Sequence, residues 1–218
     1  MIDFAAARRQ MVDGQVRPND VTDPDIIEAM LELPRESFVP SAQAPIAYLD
    51  RDIPIDAGRC LLKPMVLAKL LQAADLEPGA QVLDVACGTG YSSALLARLG
   101  ANVVALEDDP DRGRRCADTL ARVGARNVTT VCGPLEAGWA ELGPYEVILV
   151  NGRLEVEPQR LFQQLKDDGR LLGVFGTGPA GKAMIYRREN GEVGGGRPLF
   201  DAAAPALNAF ARVPAFVF

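Results

Sequence analysis

Gln81-Val82-Leu83-Asp84-Val85-Ala86-Cys87-Gly88-Thr89-Gly90-Tyr91 is the stretch whose reading decides the fold. The apolar run Val82 to Ala86 has the length and composition of a buried strand. Gly88 and Gly90 follow as a tight turn, where a missing Cβ lets backbone approach a ligand closely. Tyr91 to Leu99 then reads as a helix that Gly100 stops. A strand, a glycine turn and a helix N-terminus open a nucleotide-binding α/β unit. A second strand, Asn102 to Leu106, ends on Glu107. A carboxylate at that strand tip has the chemistry to accept two hydrogen bonds from a ribose diol.

Two cofactor classes use such a turn. A dinucleotide seats its pyrophosphate on the helix N-terminus and wants glycine three residues after Gly90, where this chain has Ser93. Asp84 beside the turn repels pyrophosphate and suits a cationic ligand. S-adenosylmethionine carries a sulfonium and an ammonium. The pattern Asp84-x-Ala86-x-Gly88-x-Gly90 resembles the first motif of the S-adenosylmethionine-dependent methyltransferases of the Rossmann-like class, with Ala86 where that motif has a glycine. A structural turn in some other α/β protein is the alternative; a nicotinamide dehydrogenase fits Asp84 and Ser93 poorly.

The 218 residues suit one α/β domain with an extension, or two small ones. Apolar residues are 48% and charged residues 24% of the chain, the balance of a globular protein that buries a full core. A net charge of -6 argues against broad nucleic-acid binding. No stretch has the length and apolarity of a signal peptide or a membrane span. Cys60, Cys87, Cys116 and Cys132 are widely spaced, which predicts reduced thiols in a cytoplasmic protein and no metal site. Histidine is absent, which removes Ser-His and Cys-His pairs and the commonest general base.

Along the chain, Phe4 to Val16 reads as a helix. Asp23 caps a second that starts at Pro24 and ends before Pro34. Loops and short strands are expected from Pro34 to Pro64, then a helix to Ala74. After Glu107 come a helix from Pro110 to Val123, strands at Asn127 to Val131 and Tyr145 to Val150, a helix from Pro158 to Lys166, and a strand from Gly169 to Phe175. Lys182 to Glu189 and Ala209 to Phe218 read as closing strands. This order predicts a mostly parallel Rossmann-like α/β sheet with helices on both faces, an antiparallel C-terminal edge and an N-terminal helical extension. The expected division is an extension over residues 1–75 and a methyltransferase domain over 76–218.

Further pieces carry a more specific resemblance. They are Arg9-Gln10-Met11-Val12-x-x-Gln15-x-Arg17, Glu28-Ala29-Met30, Leu33-Pro34-Arg35-Glu36-x-Phe38-Val39-Pro40, Ala47-Tyr48-x-Asp50 and Ile53-Pro54-Ile55-x-x-Gly58. The central strand, Glu107, Gly124-x-x-Asn127-Val128 and Pro158-x-x-Leu161-x-x-Gln164-Leu165 continue it. The chain resembles the protein-L-isoaspartate O-methyltransferases over nearly all of residues 8 to 175. The resemblance implies S-adenosyl-L-methionine as cofactor, and protein or peptide substrates carrying isoaspartyl residues. The reaction it implies is transfer of a methyl group to the isoaspartyl α-carboxylate, a protein-repair activity. No nucleic-acid or membrane partner is expected, and the sequence assigns no oligomeric state. A different methyl acceptor, or cofactor binding without catalysis, stay open as rivals.

Two departures sit where the chemistry is expected. The family's Gly-Gln-Thr-Ile-Ser-x-Pro, whose serine lies at the methyl-transfer site, is Gly58-Arg59-Cys60-Leu61-Leu62-Lys63-Pro64 here, so Leu62 replaces the serine and Cys60 the threonine. The family's Gly-Asp-Gly near the adenine is Cys132-Gly133-Pro134. The resemblance thus places Leu62 and Cys60 at the methyl-transfer position. It places Asp84, Ala86, Cys87, Gly88, Gly90, Tyr91, Glu107, Cys132 and Gly133 around the cofactor. Asp84 is expected near the ligand's amino acid part, with turn capping as the alternative. Tyr91 either faces the ligand or begins the helix. Arg59 and Lys63 are read as solvated by default, or as an attraction for an acidic acceptor. Cys60 is read as a small buried residue rather than a nucleophile.

Overall fold

The computed structural model describes residues 2–212. The N-terminal segment is helical: α1 (Phe4–Met11) runs into a π-helical turn, Val12–Val16. The second helix, α2 (Pro24–Glu32), starts as its sequence predicts, with the Asp23 carboxylate accepting from the amides of Asp25 and Ile26. The proline-rich segment that follows holds two short 3-10 helices, Arg35–Phe38 and Ser41–Ile46. A small hairpin comes next, β1 (Ile53–Asp56) paired antiparallel with β2 (Arg59–Leu61). It forms a two-stranded sheet of its own.

Pro64 occupies the first position of α3 (Pro64–Ala74), where its missing N–H loses nothing. The body then alternates: β3 (Gln81–Val85), α4 (Tyr91–Arg98), β4 (Asn102–Glu107), α5 (Pro110–Arg122), β5 (Val128–Cys132), β6 (Tyr145–Leu154), α6 (Gln159–Phe162) and β7 (Leu165–Phe175). The strands β8 (Gly181–Glu189), β9 (Glu192–Val193) and β10 (Arg197–Ala202) close it. The main sheet runs β10-β8-β7-β6-β3-β4-β5, with β9 paired to β8. From β7 to β5 the strands are parallel, while β7–β8 and β8–β10 pair antiparallel. The expected antiparallel edge is therefore present.

Burial follows the strand alternation. Val82, Val103, Ala105, Val147 and Leu149 join one core with α1 to α5. Leu83, Val85, Val104, Leu106, Ile148 and Val150 join the other, beneath α6 and the 3-10 turns Leu135–Ala137 and Asn208–Phe210. The helical cover is thus heavy on one face and thin on its opposite.

Two expectations are corrected. The helix read over Pro158 to Lys166 is only the single turn Gln159–Phe162, because Leu165 is already paired with Tyr145 in the sheet. The strand read over Ala209 to Phe218 does not begin at Ala209; among the described residues the last strand is Arg197–Ala202. Phe200 pairs with Ala183 there, and its ring lies 4.7 Å from Lys69 Nζ. Asn208–Phe210 is a 3-10 turn, and residues 213–218 lie outside the described residues.

Candidate functional site

The sheet order reverses at β3, whose neighbours β4 and β6 leave in opposite directions. The crevice at the strand C-termini beside such a switch point is where open α/β sheets bind ligands. The turn Ala86 to Gly90 and Glu107 stand there. Glu107 is fully buried, and its Oε1 accepts the Gly88 amide at 2.7 Å. The strand tip and the glycine turn, 19 residues apart in sequence, converge as the sequence predicts.

Glu107 is also occupied. Oε1 accepts a second bond, from Arg59 Nε at 3.1 Å. Oε2 accepts from Arg112 Nη1 at 2.9 Å and from the Asp108 amide at 3.2 Å. A carboxylate offers about four acceptor sites, so Glu107 is saturated by its own chain. Arg59 continues to Asp108 Oδ1 at 2.8 Å, and Arg112 reaches Asp56 Oδ1 at 3.1 Å. Arg115 reaches Asp56 Oδ2 at 2.6 Å. Three arginines thus balance three acids. Against the lowering effect of burial, Asp56 and Glu107 hold the Arg112 pKa above its ordinary value.

Arg59 is 9% exposed, so the expectation of a solvated side chain is corrected: a buried carboxylate draws it inward. Arg112, in the first turn of α5, went unread in the sequence. Its signal is its place five residues after Glu107, across the turn that α5 starts from.

Asp84 is fully buried too. Its Oδ2 accepts Ser92 Oγ at 2.7 Å and Ser93 Oγ at 2.5 Å, and its Oδ1 accepts Asn151 Nδ2 at 2.6 Å. Burial pushes its pKa up from 3.8 to about 6, against the hydrogen bonds from Ser93, Ser92 and Asn151 that favour the charged form. The carboxylate fastens the first turn of α4 to β3, which is the turn-capping alternative. Ser93, the residue that spoils a dinucleotide motif, has this bond as its role. Asn151 was also missed; a polar residue directly after the apolar run Val147 to Val150 was its only signal.

The turn itself is filled from within. Ala86 and Cys87 are buried, and Ala86 takes φ 57, a left-handed conformation that suits glycine. A Cβ added at Gly88 would stand 2.9 Å from Ile55 Cδ1; one at Gly90 would stand 2.9 Å from Cys116 Sγ. Cys87 Sγ lies 3.8 Å from Cys116 Sγ, and this contact together with burial raises its thiol pKa. Tyr91 begins α4 and faces the N-terminal segment: Phe38 packs on its ring at 5.2 Å, and the Arg35 guanidinium lies 4.8 Å from the ring centre.

On the acceptor side, Leu62 is 2% exposed and belongs to the core. Cys60 is half-buried, and burial pushes its thiol up to about 12, which keeps it protonated and suits the reading as a packing residue. The Lys63 side chain is half-buried, and its amide donates to Asp52 Oδ1 at 2.9 Å. Cys132 is exposed at the end of β5 beside Glu107, and the Gly133 amide donates to the Glu107 carbonyl at 2.9 Å. Trp139 lies against Gly133 and packs on the second core. Among the described residues, no group of three His, Cys, Asp or Glu side chains is arranged to hold a metal ion. None of the described helices is long and apolar enough to cross a membrane.

Two buried carboxylates and a glycine turn at a switch point fit S-adenosylmethionine in kind, although the chain's own groups engage them here. The hairpin β1–β2 stands over it. A sheet of this order with this constellation defines a Rossmann-like methyltransferase fold. Residues 7–196 match the family model described as protein-L-isoaspartate(D-aspartate) O-methyltransferase. The chain belongs to that family. It is 38% identical over 167 residues to a protein-L-isoaspartate O-methyltransferase of Gloeobacter violaceus, covering 77% of this chain and 82% of the relative. It is 38% identical over 185 residues to one of Methylorubrum extorquens, covering 85% and 80%. A solved protein-L-isoaspartate O-methyltransferase superposes with a TM-score of 0.79 at 25% identity, over 94% of this chain and 67% of that one. A Plasmodium falciparum structure described as a complex with S-adenosyl-L-homocysteine has the same fold, with a TM-score of 0.78 at 19% identity over 96% of this chain and 100% of that one.

Proposed function

We propose that this chain transfers a methyl group from S-adenosylmethionine to the α-carboxylate of L-isoaspartyl residues in damaged proteins. The observation that carries the reading is the convergence of Glu107 and Gly88, 2.7 Å apart at the switch point of the sheet, in a chain of this family. The cofactor, when bound, supplies an electrophilic methyl on a cationic sulfur. Glu107 would hold its ribose, and the amides of Gly88 and Gly133 brace Glu107 through its carboxylate and its carbonyl. Asp84 keeps α4 and the turn in place. Residues 1–75 form the extension that covers the site and excludes water, and residues 76–218 the domain beneath it.

An acceptor carboxylate is already ionised at neutral pH, so the transfer needs no general base. A chain without histidine is compatible with such a reaction. The work left to the protein is alignment in a dry site. Damaged proteins and peptides are the proposed partners, without a nucleic-acid or membrane partner. Four free cysteines support a reducing compartment, and we place the protein in the cytoplasm.

Leu62 favours a second reading. Its side chain is buried and carries no hydroxyl, which fits a different acceptor or a cofactor-binding protein without turnover. Methyl transfer from labelled S-adenosylmethionine to an isoaspartyl peptide and its normal aspartyl twin tests both. Label on the isoaspartyl peptide alone supports the first reading. Cofactor binding with neither peptide labelled supports the second.

A further inference from the structure

The saturated carboxylate at the tip of β4 has a direct consequence for ligand entry. Glu107 takes its four hydrogen bonds from Gly88, Arg59, Arg112 and Asp108. Three of these donors belong to the residue after β4, to α5 and to the glycine turn, all parts of the sheet domain. Arg59 alone comes from outside it, from β2 of the small hairpin. Ile55, on β1 of the same hairpin, places Cδ1 against the Gly88 backbone, on the side where a glycine would admit a ligand. The hairpin therefore covers both the acid and the turn.

Its attachments divide into a base and a tip. At the base, Arg35 Nη2 donates to the Leu62 carbonyl at 2.7 Å, and the Lys63 amide donates to Asp52 at 2.9 Å. Arg59 and Asp56 flank the exposed tip Ala57-Gly58 and hold it by ion pairs: Arg59 to Glu107 and Asp108, Asp56 to Arg112 and Arg115. A two-stranded hairpin has little stability of its own, so its position depends on these attachments and on Ile53, Ile55 and Leu61, which are buried in the core. The exposed tip Ala57-Gly58, which has few apolar contacts, is the part suited to open locally.

We propose that Arg59 is an internal competitor for the ribose-binding carboxylate: it latches the β1–β2 hairpin over the cofactor site, and cofactor binds after the latch on Glu107 is released. Release at the tip, with the base at Leu62-Lys63 held, displaces Cys60, the neighbour of Arg59 on β2, beside Leu62. Cofactor binding and acceptor-site geometry are coupled through one short piece of chain. The inference rests on the functional reading above, because it takes S-adenosylmethionine as the ligand of this crevice.

A protein whose competent state is a minority binds with its affinity reduced by that fraction. Competent populations of at most ~10% make the reduction roughly tenfold or more. Arg59→Gln removes the charge and leaves Glu107 its bonds from Arg112, Gly88 and Asp108. The test compares S-adenosylhomocysteine binding by the full-length protein and this variant, by calorimetry and stopped-flow association. The expected result is at least roughly tenfold tighter and faster binding by the variant. Equal constants overturn the latch while leaving the cofactor reading intact. Weaker binding by a folded variant also overturns it, since Arg59 would then help to hold the ligand. Absence of binding by both proteins sinks the functional reading and the latch with it. Hydrogen exchange of the unmodified protein is the second measurement, for a variant that does not fold. Added S-adenosylhomocysteine must change exchange at amides 53–61, and an unchanged hairpin overturns the proposal.

Discussion

Arg35 and Leu62 are joined inside the protein: Nη2 of the fully buried arginine donates to the leucine carbonyl at 2.7 Å. Its Nε donates to the Ala47 carbonyl at 2.7 Å, so one guanidinium ties three segments together. Burial lowers the arginine's pKa, while contact with Tyr91 opposes that shift. Arg35→Lys keeps the charge but loses the planar fork. Leaving a buried carbonyl unpaired costs about 1–3 kcal/mol, so the variant is expected to lose about 2 kcal/mol and roughly 4–8 °C in Tm. Calorimetry decides the point, and a Tm within about 1 °C of the parent removes Arg35 from the list of structural determinants.

At Leu62, stability and activity are expected to move in opposite directions. Leu62→Ser empties part of a packed core and buries a hydroxyl, a loss of about 3 kcal/mol. A hydroxyl bonded to a charged acceptor is worth about 1.5–3 kcal/mol, or roughly 10- to 150-fold in rate where it favours the transition state. The parent protein should methylate isoaspartyl peptides slowly. Leu62→Ser should be less stable and faster, more so with Cys60→Thr beside it. Initial rates normalised to folded protein measure this. A rapid parent enzyme would show that this position does not limit turnover.

Ala86 offers a gain instead. It sits at φ 57 in the turn that follows β3. A left-handed conformation costs an alanine about 1–2 kcal/mol, and glycine adopts it freely at a smaller price in chain entropy. Ala86→Gly is therefore expected to stabilise the protein by about 1 kcal/mol, or roughly 2–4 °C. Thermal unfolding without ligand is the measurement. A lower Tm would mean that the buried methyl contributes more by packing than its strain removes.

The local features of this fold are legible in the sequence because the interactions that make them are local. Asp23 caps α2 through amides two and three residues on, and Pro24, Pro64 and Pro110 each start a helix. The strand, turn and helix from Gln81 to Arg98 follow from apolar runs and glycines. The site's electrostatics are not local. Arg59 finds Glu107 48 residues away, and Asn151 finds Asp84 67 residues away. No periodicity encodes those meetings, so a buried, paired arginine reads as a solvated one. The overlong helix at Pro158 has the same origin: its apolar spacing fits a helix, but Tyr145 pairs with Leu165 and ends it.

Burial raises Asp84 from 3.8 to about 6 in the folded protein, while Ser93, Ser92 and Asn151 partly offset the rise. Between those values the folded state holds a proton that the unfolded state has released. Stability falls with rising pH where the native state binds more protons. The contribution of Asp84 is therefore complete below about pH 4, shrinks as pH rises toward about 6, and is constant above that. A difference of about two units amounts to about 3 kcal/mol. Asp84→Asn retains a hydrogen-bonding side chain of the same shape and cannot titrate. Urea unfolding of both proteins from pH 4 to pH 7.5 isolates the effect, since other groups titrate alike in each. The parent should lose up to about 3 kcal/mol relative to Asp84→Asn across that window. Parallel pH profiles would mean that the bonds from Ser92, Ser93 and Asn151 hold the carboxylate at its ordinary acidity.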